Sequence, residues 1–290
     1  MILKKEIERL AEEKGVPKST IDKDWVLGHV VDGIYTVTDT RDTLIFKGGT
    51  CLKKCYFPNY RFSEDLDFTA TEPDFHLTKR LLNEVISVVT ERVGIPLHLQ
   101  ENKPLYHQDR LTGYNAKIKF WGADHPRNQQ PPPPPRWHSS IKIEVILFEQ
   151  MEFEVARKAI SHRYSDDLSD TAHNIPCYAI EEILAEKLRS LIQRSYPAPR
   201  DFYDIWYLSR SYDSLNWTEI VRAFSNKVAF KELTFSGVHQ MVNEQTIQRL
   251  RGAWSQSLIH QISSNQLPEF ELVKQEVVDL LNQLFADWKL

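Results

Sequence analysis

The spacing of apolar residues predicts two helices at the start of the chain. Residues 3–14 place apolar side chains at helical intervals beside a charged face, and Gly15 interrupts the pattern. A second apolar run predicts a helix that continues to about Val37, with Ser19 or Thr20 in position to cap its first turn. We expect this helical pair to cover the core of the fold.

Short apolar and alternating runs predict a β-sheet in the first half of the chain. Residues 43–46 are apolar and β-prone, and polar residues alternate with apolar ones over residues 65–68. Two glycines follow the first run, where the strand should end and a short helix begin. The same reasoning predicts a packed helix over 75–93, which Gly94 ends, and strands over 95–99, 111–121 and 141–147.

A run of five consecutive prolines, residues 131–135, lies within the connection 122–136 between two predicted strands. Such a run favours the extended polyproline II conformation. We interpret it as part of a long connection. The alternative is a docking site for a proline-reading domain.

From residue 180 onward the pattern is almost wholly helical. An apolar stripe over 180–192 predicts one helix, which Pro197 and Pro199 end, and Arg200 opens the next. Strands in the first part of a chain and helices in the second are typical of an α+β fold. We therefore predict a mixed sheet flanked by helices, followed by a C-terminal helical domain.

Length and composition bound the class of protein. The 290 residues suffice for one large domain or two modest ones, and we predict domains over residues 1–175 and 176–290. No apolar run is long enough to span a bilayer, and the first residues lack the features of a signal peptide. The three cysteines form no C-x-x-C pair, so reduced thiols in a cytoplasmic protein are expected. Because the net charge is −4, binding of nucleic acid requires a local basic patch.

Two stretches of the predicted sheet carry the candidate chemistry. Gly48 and Gly49 lie between a strand and a helix, where backbone N–H groups and a positive helix end can hold a phosphate. Asp65 and Asp67 are two residues apart on a strand, so their carboxylates share one face. Paired carboxylates repel each other unless a cation lies between them, and oxygen ligands of this kind suit Mg²⁺ or Mn²⁺. A phosphate holder beside a metal holder indicates chemistry on a nucleoside triphosphate.

Glu144 is a candidate third carboxylate. The apolar residues of its predicted strand place Lys142 and Glu144 together on the opposite face. If this strand is a neighbour of the strand that carries Asp65 and Asp67, Glu144 joins them as a metal ligand or a base. If it is not, Glu144 is a solvent-facing residue of a half-exposed strand, and the pattern alone supports both interpretations about equally.

The helical half carries a second cluster of charges. Lys187 and Arg194 are seven residues apart and lie on the same side of one predicted helix. On the next helix Asp201 and Asp204 share a face, and Arg200 can pair with Asp204 at i, i+4. Solvated surface ion pairs, worth roughly a few tenths of a kcal/mol each, would explain these charges. Taken alone, the charges of Arg200, Asp201 and Asp204 favour this explanation, and their concentration just after a helix break, beside Lys187 and Arg194, weakens it.

Together these elements resemble the DNA polymerase β-like nucleotidyltransferase superfamily, and within it the AbiEii/AbiGii toxin family, which includes the MenT toxins. The resemblance covers roughly residues 20–210. Its marks, in chain order, are Lys23-Asp24-Trp25, Lys47-Gly48-Gly49-Thr50-x-Leu52, Arg61-x-Ser63-x-Asp65-x-Asp67, Lys187 and Arg200-Asp201-x-x-Asp204. Without the other marks, Lys23-Asp24-Trp25 would be interpreted as a charged turn of a surface helix with Trp25 packed inward.

The resemblance implies a nucleotidyltransferase-like fold and a transfer, dependent on Mg²⁺ or Mn²⁺, of a nucleoside monophosphate from an NTP to an RNA. It implies a cytoplasmic toxin of a toxin–antitoxin or phage-defence system, with a separately encoded antitoxin as partner. Some members of the family add nucleotides to the 3′ end of tRNA, which makes tRNA the expected acceptor. The alternatives are a nucleotide-binding protein without transfer activity and a kinase-like phosphotransferase.

The resemblance also suggests roles for the candidate site residues. Asp65, Asp67 and Glu144 would hold the metal and act in catalysis. Contacts to the phosphates are expected from residues of the glycine turn and of the segment that follows it, namely Lys47, Gly48, Gly49, Thr50, Arg61 and Ser63. Lys187, with Arg194 or Arg200, would neutralise the triphosphate. Asp201 and Asp204 would orient that lysine or contact the nucleotide.

Overall fold

The computed structural model describes residues 1–126, 128–196, 198–286 and 288, apart from the side chain of Thr38. The chain forms two compact units. The first comprises Met1–Glu149 and Val155–Tyr178, and the second comprises Gln150–Glu154 and Ala179–Leu290. Pro197, one of the two prolines predicted to end a helix, lies outside the described residues.

The first unit begins with the predicted helices. Its α-helices are α1 (Lys4–Lys14), α2 (Lys18–Thr36), α3 (Thr38–Arg41), α4 (Gly48–Cys51) and α5 (Lys79–Val93), and a π-helix, Leu52–Tyr56, follows α4. The prediction that Ser19 or Thr20 caps α2 is wrong. Pro17 precedes the helix instead, and its carbonyl accepts the N–H of Thr20 at 2.9 Å. The fixed φ of proline suits the entry to a helix, so Pro17 moves the start two residues earlier.

Helix α2 runs unbroken across Gly28 and Gly33. Gly33 is required where α2 packs on α5, because a Cβ there would lie 2.5 Å from the side chain of Val89. A side chain at this position would require Val89 or the helix that carries it to shift. Gly33 is unfavourable inside a helix as a residue type, but here it permits the packing of α2 on α5.

Two predicted boundaries shift in the structure. Helix α5 begins at Lys79 rather than at residue 75, since Thr78 caps it by accepting the N–H of Leu81 at 3.1 Å. Gly94 ends α5 with φ 76°, as predicted. The next strand continues far beyond residue 99. The sequence pattern did not predict its second half, because these residues are polar and exposed and show no apolar alternation.

The strands form one mixed sheet, which confirms the predicted fold class. They are β1 (Leu44–Lys47), β2 (Asp65–Ala70), β3 (Leu97–His107), β4 (Arg110–Phe120), β5 (Ser140–Ile146), β6 (Ala156–Lys158) and β7 (Ile175–Cys177). Their order is β3-β4-β5-β2-β1-β7-β6. The pairs β2–β5 and β1–β7 are parallel, and the other neighbours are antiparallel.

The register at the centre of the sheet aligns the candidate residues. Asp67 of β2 lies opposite Lys47 of β1 on one side and opposite Glu144 of β5 on the other. Asp65 lies opposite Lys142. Leu66, Phe68 and their neighbours on β5 turn to the other face and are buried in the core. Strand β5 is therefore a neighbour of β2, which is the condition for Glu144 to lie beside the aspartates.

The proline run belongs to the connection between β4 and β5. The indole N–H of Trp137 donates to the carbonyl of Pro132 at 2.6 Å, and Nζ of Lys119 donates to the carbonyl of Pro135 at 2.9 Å. The second bond attaches the loop to β4. The prolines therefore lie in a long connection between two strands, as predicted.

The second unit is helical. Its α-helices are α6 (Ile180–Gln193), α7 (Pro199–Ser211), α8 (Trp217–Phe230), α9 (Glu244–Leu258) and α10 (Phe270–Leu284). The short segment Gln150–Glu154 joins this unit through Glu182, whose carboxylate accepts the N–H groups of Glu152 and Phe153 at 2.8 Å each. None of the described helices is both long and apolar enough to cross a membrane.

Candidate functional site

Three carboxylates and one lysine share a face at the centre of the sheet. Asp65 and Asp67 on β2 and Glu144 on β5 are half-buried on the face opposite to the core residues. Nζ of Lys142 forms an ion pair with the Glu144 carboxylate at 2.8 Å. Burial acts to lower the pKa of Lys142, but the hydrogen bond to Glu144 and the charges of Glu144, Asp65 and Asp67 raise it overall. The lysine therefore lies in the field of all three carboxylates.

The donor set of this face fits a divalent cation. Carboxylate oxygens without nitrogen or sulfur suit Mg²⁺ or Mn²⁺, and the two aspartates project from one strand as predicted. Two other groups of donors among the described residues have ligand atoms that lie within 4.8 Å of one another. The three carboxylates are not as close together as the atoms of these groups. Glu144 is turned toward Lys142, so a cation that used all three would have to draw Glu144 from this ion pair.

The glycine turn packs directly on this face. Gly48 follows β1 with φ +77°, and a Cβ at this position would lie 2.2 Å from Oδ2 of Asp67. A Cβ at Gly49 would lie 2.9 Å from both the Arg61 guanidinium and the Ser63 hydroxyl. The absence of side chains thus brings backbone N–H groups to the edge of the carboxylate face, beside a guanidinium.

Thr50 and the cations of the turn have defined structural contacts. The Thr50 hydroxyl donates to the carbonyl of Asp65, which ties α4 to the start of β2. The predicted phosphate contact of this hydroxyl would compete with that bond. Arg61 is buried and donates to the carbonyl of Phe62 at 3.2 Å. Lys47 is also buried, with Nζ 5.2 Å from the ring centroid of Tyr178.

The second unit holds a separate cluster around Lys187. The lysine of α6 forms ion pairs with two carboxylates of α7, with Asp201 and, at 2.9 Å, with Asp204. Arg194 also pairs with Asp201 at 3.0 Å, and the Ser190 hydroxyl donates to the same carboxylate at 3.2 Å. Both aspartates are buried, so they hold the lysine in place. Of the two roles predicted for Asp201 and Asp204, this geometry supports the orientation of Lys187.

The predicted pair of Arg200 with Asp204 is not found among the described residues. Arg200 is exposed at the start of α7, whereas the Asp204 side chain is fully buried and turned toward Lys187. The i, i+4 spacing permits an ion pair but does not decide it, since the buried carboxylate gains more from a partner on the packed face.

Two features were missed or misread in the sequence. The sequence pattern placed Lys142 on the same face as Glu144, but Lys142 was not included in the predicted site. The alternation of polar and apolar residues that identified Glu144 identifies Lys142 equally well. Asp24 is buried, and its carboxylate accepts hydrogen bonds from Lys54 and from the Tyr164 hydroxyl at 2.7 Å each. The alternative interpretation of Lys23-Asp24-Trp25, a charged surface turn, therefore does not describe Asp24, while Trp25 packs inward.

Comparison with known proteins gives one family match and several matches of the fold. The model of the AbiEii nucleotidyltransferase toxins of type IV toxin–antitoxin systems matches residues 35–276. The fold is similar to that of MenT4, a nucleotidyltransferase toxin of Mycobacterium tuberculosis H37Rv, with a TM-score of 0.66 at 19% identity over 99% of this chain and 92% of that chain. No match is found among curated protein sequences.

Two structures from Helicobacter pylori have a more distant similarity. JHP933 has a TM-score of 0.51 at 17% identity, covering 94% of each chain. A putative nucleotidyltransferase has a TM-score of 0.52 at 16% identity, covering 94% of this chain and 97% of that chain. At these identities the structural matches show a shared fold, and the family match carries the wider conclusion.

Proposed function

Because the chain belongs to the AbiEii family of nucleotidyltransferase toxins of type IV toxin–antitoxin systems, we propose that it transfers a nucleoside monophosphate from an NTP to RNA. The proposed acceptor is the 3′ end of a tRNA. The single observation that best supports the proposal is the register at the centre of the sheet. It aligns Asp67 with Glu144 and Asp65 with Lys142, beside the glycine turn.

In the proposed reaction an RNA hydroxyl oxygen attacks the α-phosphorus of the NTP. A new phosphorus–oxygen bond forms, the bond to the pyrophosphate oxygen breaks, and the hydroxyl proton leaves. The transition state carries spread negative charge, so positioning and electrostatics supply most of the rate. Bound at Asp65 and Asp67, Mg²⁺ or Mn²⁺ would stabilise the triphosphate charge and activate the attacking hydroxyl.

The residues of the first unit have distinct proposed roles. Asp65 and Asp67 hold the cation, and Glu144 completes its ligands or accepts the hydroxyl proton. Backbone N–H groups of Gly48 and Gly49 donate to phosphate oxygens, which the Gly49 contact with Arg61 and Ser63 supports. Lys47 and Arg61 add positive charge, and the Thr50 hydroxyl exchanges its bond to the Asp65 carbonyl for one to a phosphate.

In the second unit we propose that Lys187 neutralises charge on the triphosphate. Asp201 and Asp204 hold it in one orientation, and Arg194 or Arg200 adds positive charge. The burial of both aspartates supports the orienting role. A lysine already restrained by two carboxylates loses little conformational entropy when it contacts a phosphate.

As a toxin of a type IV system, the protein is expected to have a cognate antitoxin, encoded separately. Because NTPs and tRNA are cytoplasmic, we propose that it acts in the cytoplasm, with phage defence as one setting for such a system. The proposal predicts that expression of the protein without its antitoxin arrests growth. Expression of Asp65→Asn at the same level should not.

An experiment with two labels tests the proposed reaction. The protein is incubated with total tRNA, Mg²⁺ and each NTP in turn, labelled at either the α- or the γ-phosphate. Label from the α-phosphate in RNA, with none from the γ-phosphate, is the expected result. Label from the γ-phosphate in RNA or protein would replace the proposal by a kinase-like phosphotransferase. Retention of intact NTP without chemistry would reduce it to nucleotide binding.

A further inference from the structure

The three cysteines of the sequence meet at one place in the first unit. Cys51 ends α4, Cys55 lies in the π-helix, and Cys177 ends β7. Their three sulfur atoms all lie within 4.8 Å of one another. Cys51 and Cys177 are buried and Cys55 is half-buried. No short-range cysteine motif indicated this group, because β7 comes more than a hundred residues after α4.

The surroundings of the three thiols favour a bound cation. Thiols are weak hydrogen-bond donors and acceptors, and outside the group the thiol of Cys177 donates to the carbonyl of Ile175 at 3.4 Å. The close approach of the three sulfur atoms is therefore the feature that suits them to bind one ion.

We propose that Cys51, Cys55 and Cys177 form a trithiolate site for a thiophilic cation, either Zn²⁺ or Cu⁺. Thiolate ligands select these ions, and a zinc–sulfur bond of about 2.3 Å brings sulfur atoms to about 4 Å from one another. The sulfur atoms therefore need to move by less than about 1 Å. Binding releases the thiol protons, and a fourth position on the side of half-buried Cys55 is open to water.

The site would act on the glycine turn, although the proposal does not depend on nucleotidyl transfer. Cys51 directly follows Thr50, whose hydroxyl holds the Asp65 carbonyl. Cys177 lies opposite Phe46 in the parallel pair β1–β7. Phe46 itself comes just before Gly48 and Gly49 in the chain. An ion bound to the three sulfurs therefore fixes both ends of the turn, and its expected effect is a higher Tm of the protein.

The experiment measures ion binding to the reduced full-length protein. Zn²⁺ is titrated against a chromophoric chelator, and Cu⁺ against a Cu⁺-specific chelator without oxygen. Co²⁺ replaces Zn²⁺ as a spectroscopic probe, since thiolate ligands give it a sulfur-to-cobalt charge-transfer band. The expected result is one ion per chain, and the tighter of the two ions identifies the site. Absence of binding by both ions would overturn the proposal.

Two variants assign the ion to the sulfurs. Cys55→Ser should weaken binding by more than the roughly 10–100-fold that loss of an outer-shell partner costs. His162→Gln is the matched control, because His29, His162 and Asp166 form the other compact donor group among the described residues. It should bind the ion like the wild type. Wild-type affinity in Cys55→Ser, or loss of binding in His162→Gln, contradicts the assignment.

A measurement on the wild type keeps the test independent of variant folding. Cys55 is the most accessible of the three thiols, so alkylation by iodoacetamide should begin there. One equivalent of the bound ion is expected to slow this alkylation at least tenfold. An unchanged alkylation rate in the presence of the ion would overturn the proposal.

Discussion

Gly48 shows how one residue without a side chain shapes the carboxylate face. The glycine turn between strand and helix was predictable from the sequence, and so was its role as a break. The contact of Gly48 with Asp67 was not predictable, because the two residues are 19 positions apart and meet only when β1 pairs with β2. The positive φ and the short distance to Asp67 both require glycine here.

Replacement of Gly48 tests this contact. Gly48→Ala should displace the Asp67 carboxylate and lower nucleotidyl transfer by at least ~100-fold, within the range for a lost catalytic contact. Gly94→Ala is the matched control, because Gly94 has φ +76° but open space around the Cβ position. Both variants should lose about 1–2 kcal/mol of unfolding free energy from backbone strain. Transfer kinetics that change equally in the two variants would contradict the role of the contact.

Asp22 of α2 provides a pH-dependent contribution to stability. Burial raises the pKa of its carboxyl to about 7, although the carboxylate accepts the N–H of Ala123 at 2.7 Å. The folded state therefore holds a proton between the unfolded pKa, near 4, and about pH 7. Within this window the contribution of Asp22 to the unfolding free energy falls as the pH rises, and above it the contribution is constant.

Asp22→Asn should remove this dependence while Oδ1 still accepts the N–H of Ala123. Urea unfolding of both proteins from pH 4 to pH 8 measures the effect. The variant should gain on the order of 3 kcal/mol relative to the wild type across this range. A constant difference between the two proteins would show that the Asp22 carboxyl is charged throughout.

At the scale of elements, the sequence determines the long helices and the central strands but not their neighbours. The alternation over residues 65–68 predicted that both aspartates lie on one face, because side chains two apart share a face. It could not predict that β5 is the neighbour of β2, so the position of Glu144 beside Asp67 needed the structure. Strands β6 and β7 have three residues each, too short for any periodicity to identify.

The same limit explains the cysteine cluster. Cys177 lies near Cys51 and Cys55 because β7 pairs with β1, and the local sequence pattern does not determine the order of the strands. The aspartate pair and the glycine turn, by contrast, are local features. Both were predictable from the sequence, whereas the cation that binds the two carboxylates stays a prediction.

The buried ion pair of α6 and α8 holds Gln150–Glu154 to the second unit. Nζ of Lys227 pairs with Glu182 and donates to the carbonyl of Gln150 at 2.6 Å, and the side chains of both charged residues are at most 1% exposed. Lys227→Met leaves the Glu182 carboxylate buried without this cation, so it should cost about 3–5 kcal/mol of unfolding free energy. Arg222→Ala in the same helix removes an exposed ion pair with Glu219 and a longer one, at 3.7 Å, with Glu152, and should cost less than ~1 kcal/mol.

Chemical unfolding of the two variants, followed by circular dichroism, measures this difference. A loss below about 1 kcal/mol in Lys227→Met would mean that Glu182 is stabilised by the N–H groups of Glu152 and Phe153 alone.

At the scale of the whole molecule, two compact units carry the candidate chemistry separately. The sheet unit contains the carboxylate face and the glycine turn, and the helical unit contains the Lys187 cluster. With a net charge of −4, global attraction to RNA is not expected, so recognition of an acceptor has to rest on local groups. That the units fold as independent domains stays a prediction.

Lys187 tests whether the helical unit takes part in the reaction. Lys187→Ala should lower transfer by about 10²–10³-fold, the effect of removing one preorganised charge donor. Arg210→Ala is the control in the same unit, because it removes an ion pair with Glu276 and a contact with the Trp206 ring, neither of which involves Lys187. Steady-state kinetics with saturating RNA make the comparison. Equal kinetics in the two variants would remove Lys187 from the site, provided that circular dichroism shows both to be folded.

The central claim is that the face with Asp65 and Asp67 transfers nucleotides to RNA. Its most direct test is the intact mass of tRNA after incubation with NTPs, Mg²⁺ and one of three proteins: the wild type, Asp65→Asn or Asp39→Asn. Asp39 is the control because it is an exposed carboxylate of α3. The wild type and Asp39→Asn should add whole nucleoside monophosphate residues to the RNA, and Asp65→Asn should leave its mass unchanged. Wild-type addition by Asp65→Asn, or unchanged RNA with every NTP and the wild type, would contradict the claim.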